Sequence, residues 1–131
     1  MRELVQVMKA LSDPGRVKVL KMLEAREMCA CEIIRLLGLA QPTVSRHLKV
    51  LADARLITGR KVGSWVHYRL APRDEAARPY VRAMLQALSG WLEADPEIRA
   101  MRQAQSALAP LGLATSQDCR EDCRVLAPAQ P

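Results

Sequence analysis

The chain contains no phenylalanine and only four aromatic residues in 131, two tryptophans and two tyrosines. An RNA-binding sheet that stacks bases on aromatic platforms lacks its materials here. No apolar run approaches the ~20 residues of a membrane-crossing helix. The six glycines, at positions 15, 38, 59, 63, 90 and 112, are scattered, and none builds a phosphate-binding loop or a dinucleotide fingerprint. Met1 to Ala10 alternates charged and apolar groups and has no signal-peptide core. A cytoplasmic protein is therefore expected, with cysteines kept reduced and available to metals or thiol chemistry. There is no internal repeat.

What the chain does have is enough hydrophobic residues, half of the total, for a packed core of about one domain. Its formal charge of +6 is unevenly placed. Residues 1–40 carry a net +2, residues 41–73 a net +6 and residues 74–131 a net −2. The excess equals that of one block, Arg46, Lys49, Arg55, Arg60, Lys61, Arg69 and Arg73 against Asp53 alone. A local basic block in a compact chain points to a polyanionic partner, nucleic acid or a membrane surface.

Leu4, Val7, Met8 and Leu11 recur at the spacing of a helix with one buried face. Asp13-Pro14 reads as the N-cap and first residue of a second helix with Val17, Leu20 and Leu23 inward. A third helix is predicted over about 30–37, closed by Gly38. A fourth opens at Gln41-Pro42, with Val44, Leu48 and Leu51 inward. Two short helices joined by so tight a turn are the signature of a helix-turn-helix. The period then drops to two. Val66, Tyr68 and Leu70 alternate with Trp65, His67 and Arg69, and Gly63-Ser64 separates this run from Ile57–Val62. The expected fold is mainly α with a small β-hairpin wing, a winged helix-turn-helix. A last long helix is predicted from about 74 to 94, with Val81, Met84, Leu85, Leu88, Trp91 and Leu92 on one face. That stripe is wide for a chain this small and suits pairing with a second subunit, together with the first helix. Residues 1–95 are read as the DNA-binding and dimerisation domain. Residues 96–131 are read as an extension, helical over about 97–108 and then a tail holding Cys119 and Cys123.

A recognition helix carries small polar or basic side chains toward base edges and apolar ones toward its scaffold. Gln41, Thr43, Ser45, Arg46, His47 and Lys49 divide from Val44 and Leu48 in that way. Gln41 suits adenine, Arg46 guanine or phosphate, and Thr43, Ser45 and His47 bases or phosphates. Arg60, Lys61 and Arg69 on the hairpin would add sequence-blind phosphate contacts, with His67 a further candidate.

These segments, Leu11-Ser12-Asp13-Pro14 with Arg16, Gln41 to Leu48 and Trp65 to Leu70, resemble the ArsR family of winged helix-turn-helix metal-sensing repressors. The resemblance runs in detail from about Leu4 to Arg73. It implies a homodimer on an inverted-repeat DNA operator, dimerising through first and last helices, with repression lifted by an inducer. One departure is Arg55, where the family usually has glycine; in a left-handed conformation arginine costs of order 1 kcal/mol. Cys29-Ala30-Cys31 matches the sensor site of the family's arsenite- and antimonite-responsive members and of some cadmium or lead sensors, and the flanking Glu27-Met28 and Glu32-Ile33 fit the arsenical branch. In a regular helix positions i and i+2 lie roughly 200° apart. Two thiolates there could share one ion only if the helix start unwound or tilted, which would oppose the DNA-bound geometry. The third cysteine of many arsenical sensors falls here on Ile34. Either Cys29 and Cys31 suffice with a solvent or exogenous ligand, or Cys119 or Cys123 completes the site. The family's other site, Asp/His pairs on the last helix, is missing, since residues 74–94 hold neither His nor Cys.

The expected inducer is therefore trivalent arsenic or antimony, with no organic cofactor. The alternative is a redox, persulfide or cadmium/lead sensor on the same fold. An enzyme is not expected, because neither histidine neighbours a cysteine in sequence and no cofactor motif exists.

Overall fold

The computed structural model describes residues 1–62, 65–73 and 78–113. In chain order these form α1 (Arg2–Ala10), α2 (Pro14–Ala25), β1 (Met28–Cys29), α3 (Ala30–Leu37), α4 (Gln41–Asp53), β2 (Ile57–Val62), β3 (Trp65–Leu70), α5 (Pro79–Leu88) and α6 (Pro96–Leu113). The strands make one antiparallel sheet in the order β1-β3-β2. The winged helix-turn-helix expectation holds. Among the described residues no helix is long and apolar enough to cross a membrane. The Gly63-Ser64 turn and Cys119 and Cys123 lie outside the described residues.

Local chemistry sets the boundaries. The Asp13 carboxylate accepts from the amides of Gly15 at 2.7 Å and Arg16 at 3.2 Å, capping α2, with Pro14 in the first turn where no N–H is needed. Gly38 closes α3 at φ 65°, a left-handed conformation that glycine enters without a Cβ clash. The chain is then free to turn within three residues into α4. Val44, Leu48 and Leu51 on the inner face of α4 are fully buried, each stabilising by about 1.5–3 kcal/mol relative to exposure. In the wing, Val66 and Tyr68 face the core as the alternation predicted.

Two features depart from expectation. The two-residue strand β1 is new; it pairs Met28 with Tyr68 and Cys29 with His67. The long helix predicted over 74–94 is α5 alone among the described residues. Pro79 stands in its first turn, and Trp91 and Leu92 lie beyond its end, exposed. The helix ends at its C-cap Ser89, just before Gly90, and the turn that follows is held by Lys21, a fully buried lysine on α2. Its Nζ donates to the carbonyls of Leu88 and Trp91, each at 2.9 Å, and to Glu93 Oε1 at 2.8 Å, which holds the chain out of helix. The helix expected over about 97–108 is α6, which runs from Pro96 to Leu113. Residues 96–113 pack on α2 and α3 with Ile98, Met101 and Leu108 buried. Gln105 Nε2 donates to the Met22 carbonyl at 2.8 Å and faces Met28 Sδ at 3.2 Å. This helix supports the chain just before Cys29.

Candidate functional site

The surface presented by α4 and the wing carries the basic block. Arg46 and Lys49 are exposed, Lys49 pairing with Asp53 at 3.4 Å, while Gln41, Thr43 and Ser45 are half-buried along α4. On the wing, Arg60, Lys61 and Arg69 are exposed, and Arg69 Nε donates to Thr58 Oγ1 at 3.4 Å. A cationic surface carried by a helix and a hairpin can meet a duplex with the helix in the major groove and the wing along phosphates.

His47 is not part of that exposed face, contrary to expectation. It is buried, with Nδ1 3.3 Å from Arg16 Nη1 and Nε2 3.5 Å from Asp13 Oδ1. Since a guanidinium only donates, Nδ1 accepts and Nε2 carries the proton. Arg16 in turn donates to the carbonyls of Ala10 at 2.7 Å and Lys9 at 3.0 Å, satisfying the end of α1. Asp13, Arg16 and His47 thus join α1, α2 and α4, and burial lowers the His47 pKa below its ordinary value. The sequence signal was available: Val44, His47, Leu48 and Leu51 stand at i, i+3, i+4 and i+7, one buried stripe.

The cysteine pair has a geometry that helical spacing does not suggest. Cys29 is the last residue of β1 and the N-cap of α3, with extended backbone at φ −71° and ψ 149°. Only Cys31 is helical. The sulfurs consequently face each other 3.1 Å apart, not on opposite sides of a helix. Two sulfurs on one ion at bonds of about 2.3 Å stand roughly 3.3–3.8 Å apart for angles from a right angle to tetrahedral, a few tenths of an ångström beyond this separation. The helix start therefore need not unwind to bring the pair onto one ion, which corrects the expected mechanical step. Both cysteines are buried. Among the described residues no three His, Cys, Asp or Glu side chains are gathered as a complete metal cage. The pair supplies two arms of a site.

The surroundings of the pair are built from α3 and the wing. Glu32 Oε1 accepts from the Cys29 amide at 3.0 Å, the reaching-back half of a capping box. Its other oxygen binds Arg26 at 2.7 Å. On β3, His67 lies directly opposite Cys29, and Arg60 lies directly opposite His67 on β2. Directly opposed residues share a sheet face. Cys29, His67 and Arg60 therefore form one row across the sheet, so a cysteine, a histidine and a wing arginine far apart in sequence become neighbours. Tyr68 occupies the other face, where burial pushes its phenol well above the ordinary value.

Comparison with known proteins places this geometry. Residues 13–58, from the cap of α2 into β2, match the family described as "Bacterial regulatory protein, arsR family". The chain is 42% identical over 73 residues to the arsenical resistance operon repressor of Escherichia coli (strain K12), covering 55% of this chain and 62% of that protein. It is 37% identical over 101 residues to the arsenic resistance transcriptional regulator ArsR1 of Pseudomonas putida, covering 72% of this chain and 78% of that one. Among solved structures, reduced HlyU from Vibrio cholerae superposes with a TM-score of 0.55 at 30% identity, over 66% of this chain and 85% of that one. The transcriptional repressor BigR from Xylella fastidiosa gives 0.53 at 29%, over 66% and 80%. The chain belongs to the arsR family of bacterial regulatory proteins, a family of transcriptional regulators and not of enzymes.

Proposed function

We propose that the chain is a DNA-binding repressor that releases its operator when trivalent arsenic or antimony binds Cys29 and Cys31. One observation carries the inducer half: two sulfurs 3.1 Å apart, one on β1 and one in the first turn of α3, where the wing sheet joins that helix. Relatives named for arsenic and arsenical resistance support it. With both cysteines as thiols, arsenous acid would exchange two hydroxyls for two sulfurs, releasing two waters. The third position keeps a hydroxyl or takes Cys119 or Cys123. DNA binding rests on Gln41, Thr43, Ser45, Arg46 and Lys49 along α4, with Arg60, Lys61, Arg69 and His67 on the wing. The packed α1 and α5 leave Val5, Met8 and Tyr80 exposed, a surface suited to a homodimer on an inverted-repeat operator.

The test is titration of arsenite, antimonite, cadmium, lead and zinc onto the protein bound to a duplex selected by it from a random pool. Cys29→Ser and Cys31→Ser should bind DNA normally and fail to release it. Normal arsenite release from the double variant would refute the site. Loss of arsenite affinity in Cys119→Ser or Cys123→Ser would identify the third ligand. A second reading is favoured by the same sulfur separation and by the likeness to a protein described in its reduced form. In that reading the two thiols lose two electrons and two protons to an oxidant. Diamide, and not arsenite, would then release DNA.

A further inference from the structure

Arg60 is not a free wing cation in this structure. Its Nη2 donates to both carboxylate oxygens of Glu27, at 2.9 and 3.0 Å. Glu27 is the residue just before β1, two positions ahead of Cys29. Its backbone carbonyl accepts from Arg26 Nη1 at 3.1 Å. The same guanidinium binds Glu32 at 2.7 Å, and Glu32 binds the Cys29 amide at 3.0 Å. A continuous polar chain thus runs from the amide of a cysteine to a guanidinium on the wing. Its inner member, Glu32, is buried, so its bonds are not readily exchanged for water. Its outer member is an ion pair whose arginine remains exposed and within reach of a phosphate.

We propose that Glu27 is a positioning residue that competes with DNA phosphate for Arg60, and that the turn carrying Cys29 sets how firmly it competes. A carboxylate and a phosphate ask for the same guanidinium edge. When Arg60 turns to DNA, it must leave Glu27. A change at the cysteine turn that holds Glu27 on Arg60 weakens the wing's phosphate contact without touching α4. Such a difference in affinity between two arrangements is what a ligand needs in order to shift an equilibrium. The inducer half of this proposal rests on Cys29 and Cys31 as the inducer site; the competition for Arg60 does not.

The experiment is a double-mutant cycle on the full chain, read by fluorescence anisotropy on the selected duplex over a range of salt. Glu27→Gln keeps the shape and removes the charge. It should tighten DNA binding about two- to fivefold, the range expected for a partly exposed ion pair. The plot of log K against log salt should steepen by about 0.9, one phosphate contact. In an Arg60→Ala background Glu27→Gln should change neither. Equal tightening with and without Arg60 would show a general charge effect and overturn the proposal. Arsenite uptake is measured separately, without DNA, as arsenic retained per chain after gel filtration. Glu27→Gln should take up as much arsenite as the parent and lose less DNA affinity on taking it up. If its uptake fell, Glu27 would belong to the sulfur site and its role as a link would be refuted. If the parent took up none, the inducer reading would fail, while the cycle would still decide the competition for Arg60.

Discussion

Arg55→Gly should stabilise the protein, and the reason lies in how α4 ends. Arg55 N–H donates to the Ala52 carbonyl at 3.0 Å, and Leu56 N–H reaches back to the Leu51 carbonyl at 3.0 Å. These are the two bonds of a Schellman motif, and Leu51 and Leu56, its apolar pair, are both fully buried. The motif requires a left-handed residue between them, and Arg55 sits there at φ 66°. An L-residue in that conformation costs roughly 1–2 kcal/mol. Glycine removes this cost but adds freedom to the unfolded chain, returning about 0.4–1 kcal/mol. The net gain is about 0.5–1 kcal/mol, a rise in Tm of roughly 2–4 °C for a chain of this length. Thermal unfolding followed by circular dichroism measures it, with Arg55→Ala as the control. Alanine keeps a Cβ and so keeps the strain, and it should gain little. A glycine variant no more stable than the parent would show that the left-handed turn is not under strain, and the reasoning would fall.

Lys21→Met should cost about 3–5 kcal/mol in urea unfolding, because it strips a buried charge from Glu24 at 2.9 Å and leaves two carbonyls without their donor; a cost below 1 kcal/mol would mean that the network is dispensable. The hydrogen bond from Lys21, aided by Arg102, lowers the Glu93 pKa, so its contribution is complete above the ordinary value of 4.5 and is lost as pH falls through the depressed one. Glu93→Gln should therefore flatten the acid limb of a stability–pH profile and leave the neutral region's pH dependence unchanged. His47, whose pKa is lowered by burial, opposes protonation in the folded state, so stability should decline as pH drops below about 6.5. His47→Gln should abolish that decline and lower stability without altering the order of preferred DNA sequences; a changed sequence preference would return His47 to the DNA face.

The helix-turn-helix and hairpin were legible because their patterns repeat. Val44, Leu48 and Leu51 on α4 and Val66, Tyr68 and Leu70 on β3 each mark a face, and Gly38 marks a turn. What was not legible depends on contacts through space. A strand of two residues has no period, so β1 exists only because β3 pairs with it. The apolar stripe continues past α5 to Trp91 and Leu92, masking the local stop signal of Gly90, which follows the C-cap Ser89. The turn beyond it is held by Lys21 on α2, which lies among Val17, Leu20 and Leu23 in sequence and looks like a surface lysine. His47 was read by its chemistry, a polar side chain on a recognition helix, when its spacing placed it with the buried leucines. The cysteines were read by a helical angle that Cys29, as N-cap, never adopts.

That last difference changes how a switch at this site would work. If both cysteines were helical, an inducer would have to unwind α3 before it could bind, and the cost would fall on the helix that carries α4. With Cys29 on β1, the element that must yield is a two-residue edge strand. Its ladder holds few bonds, each worth about 0.5–1.5 kcal/mol net. Lifting it therefore costs on the order of 1–3 kcal/mol, the scale of typical couplings between two sites. Burial of both sulfurs requires such an opening for any ligand to enter. The strand that opens is hydrogen-bonded to β3, directly opposite His67, which itself faces Arg60. Entry of an inducer would thus disturb the wing first and the recognition helix second, so the wing's phosphate contacts, and not base readout by α4, would be the first part of the DNA interface to weaken.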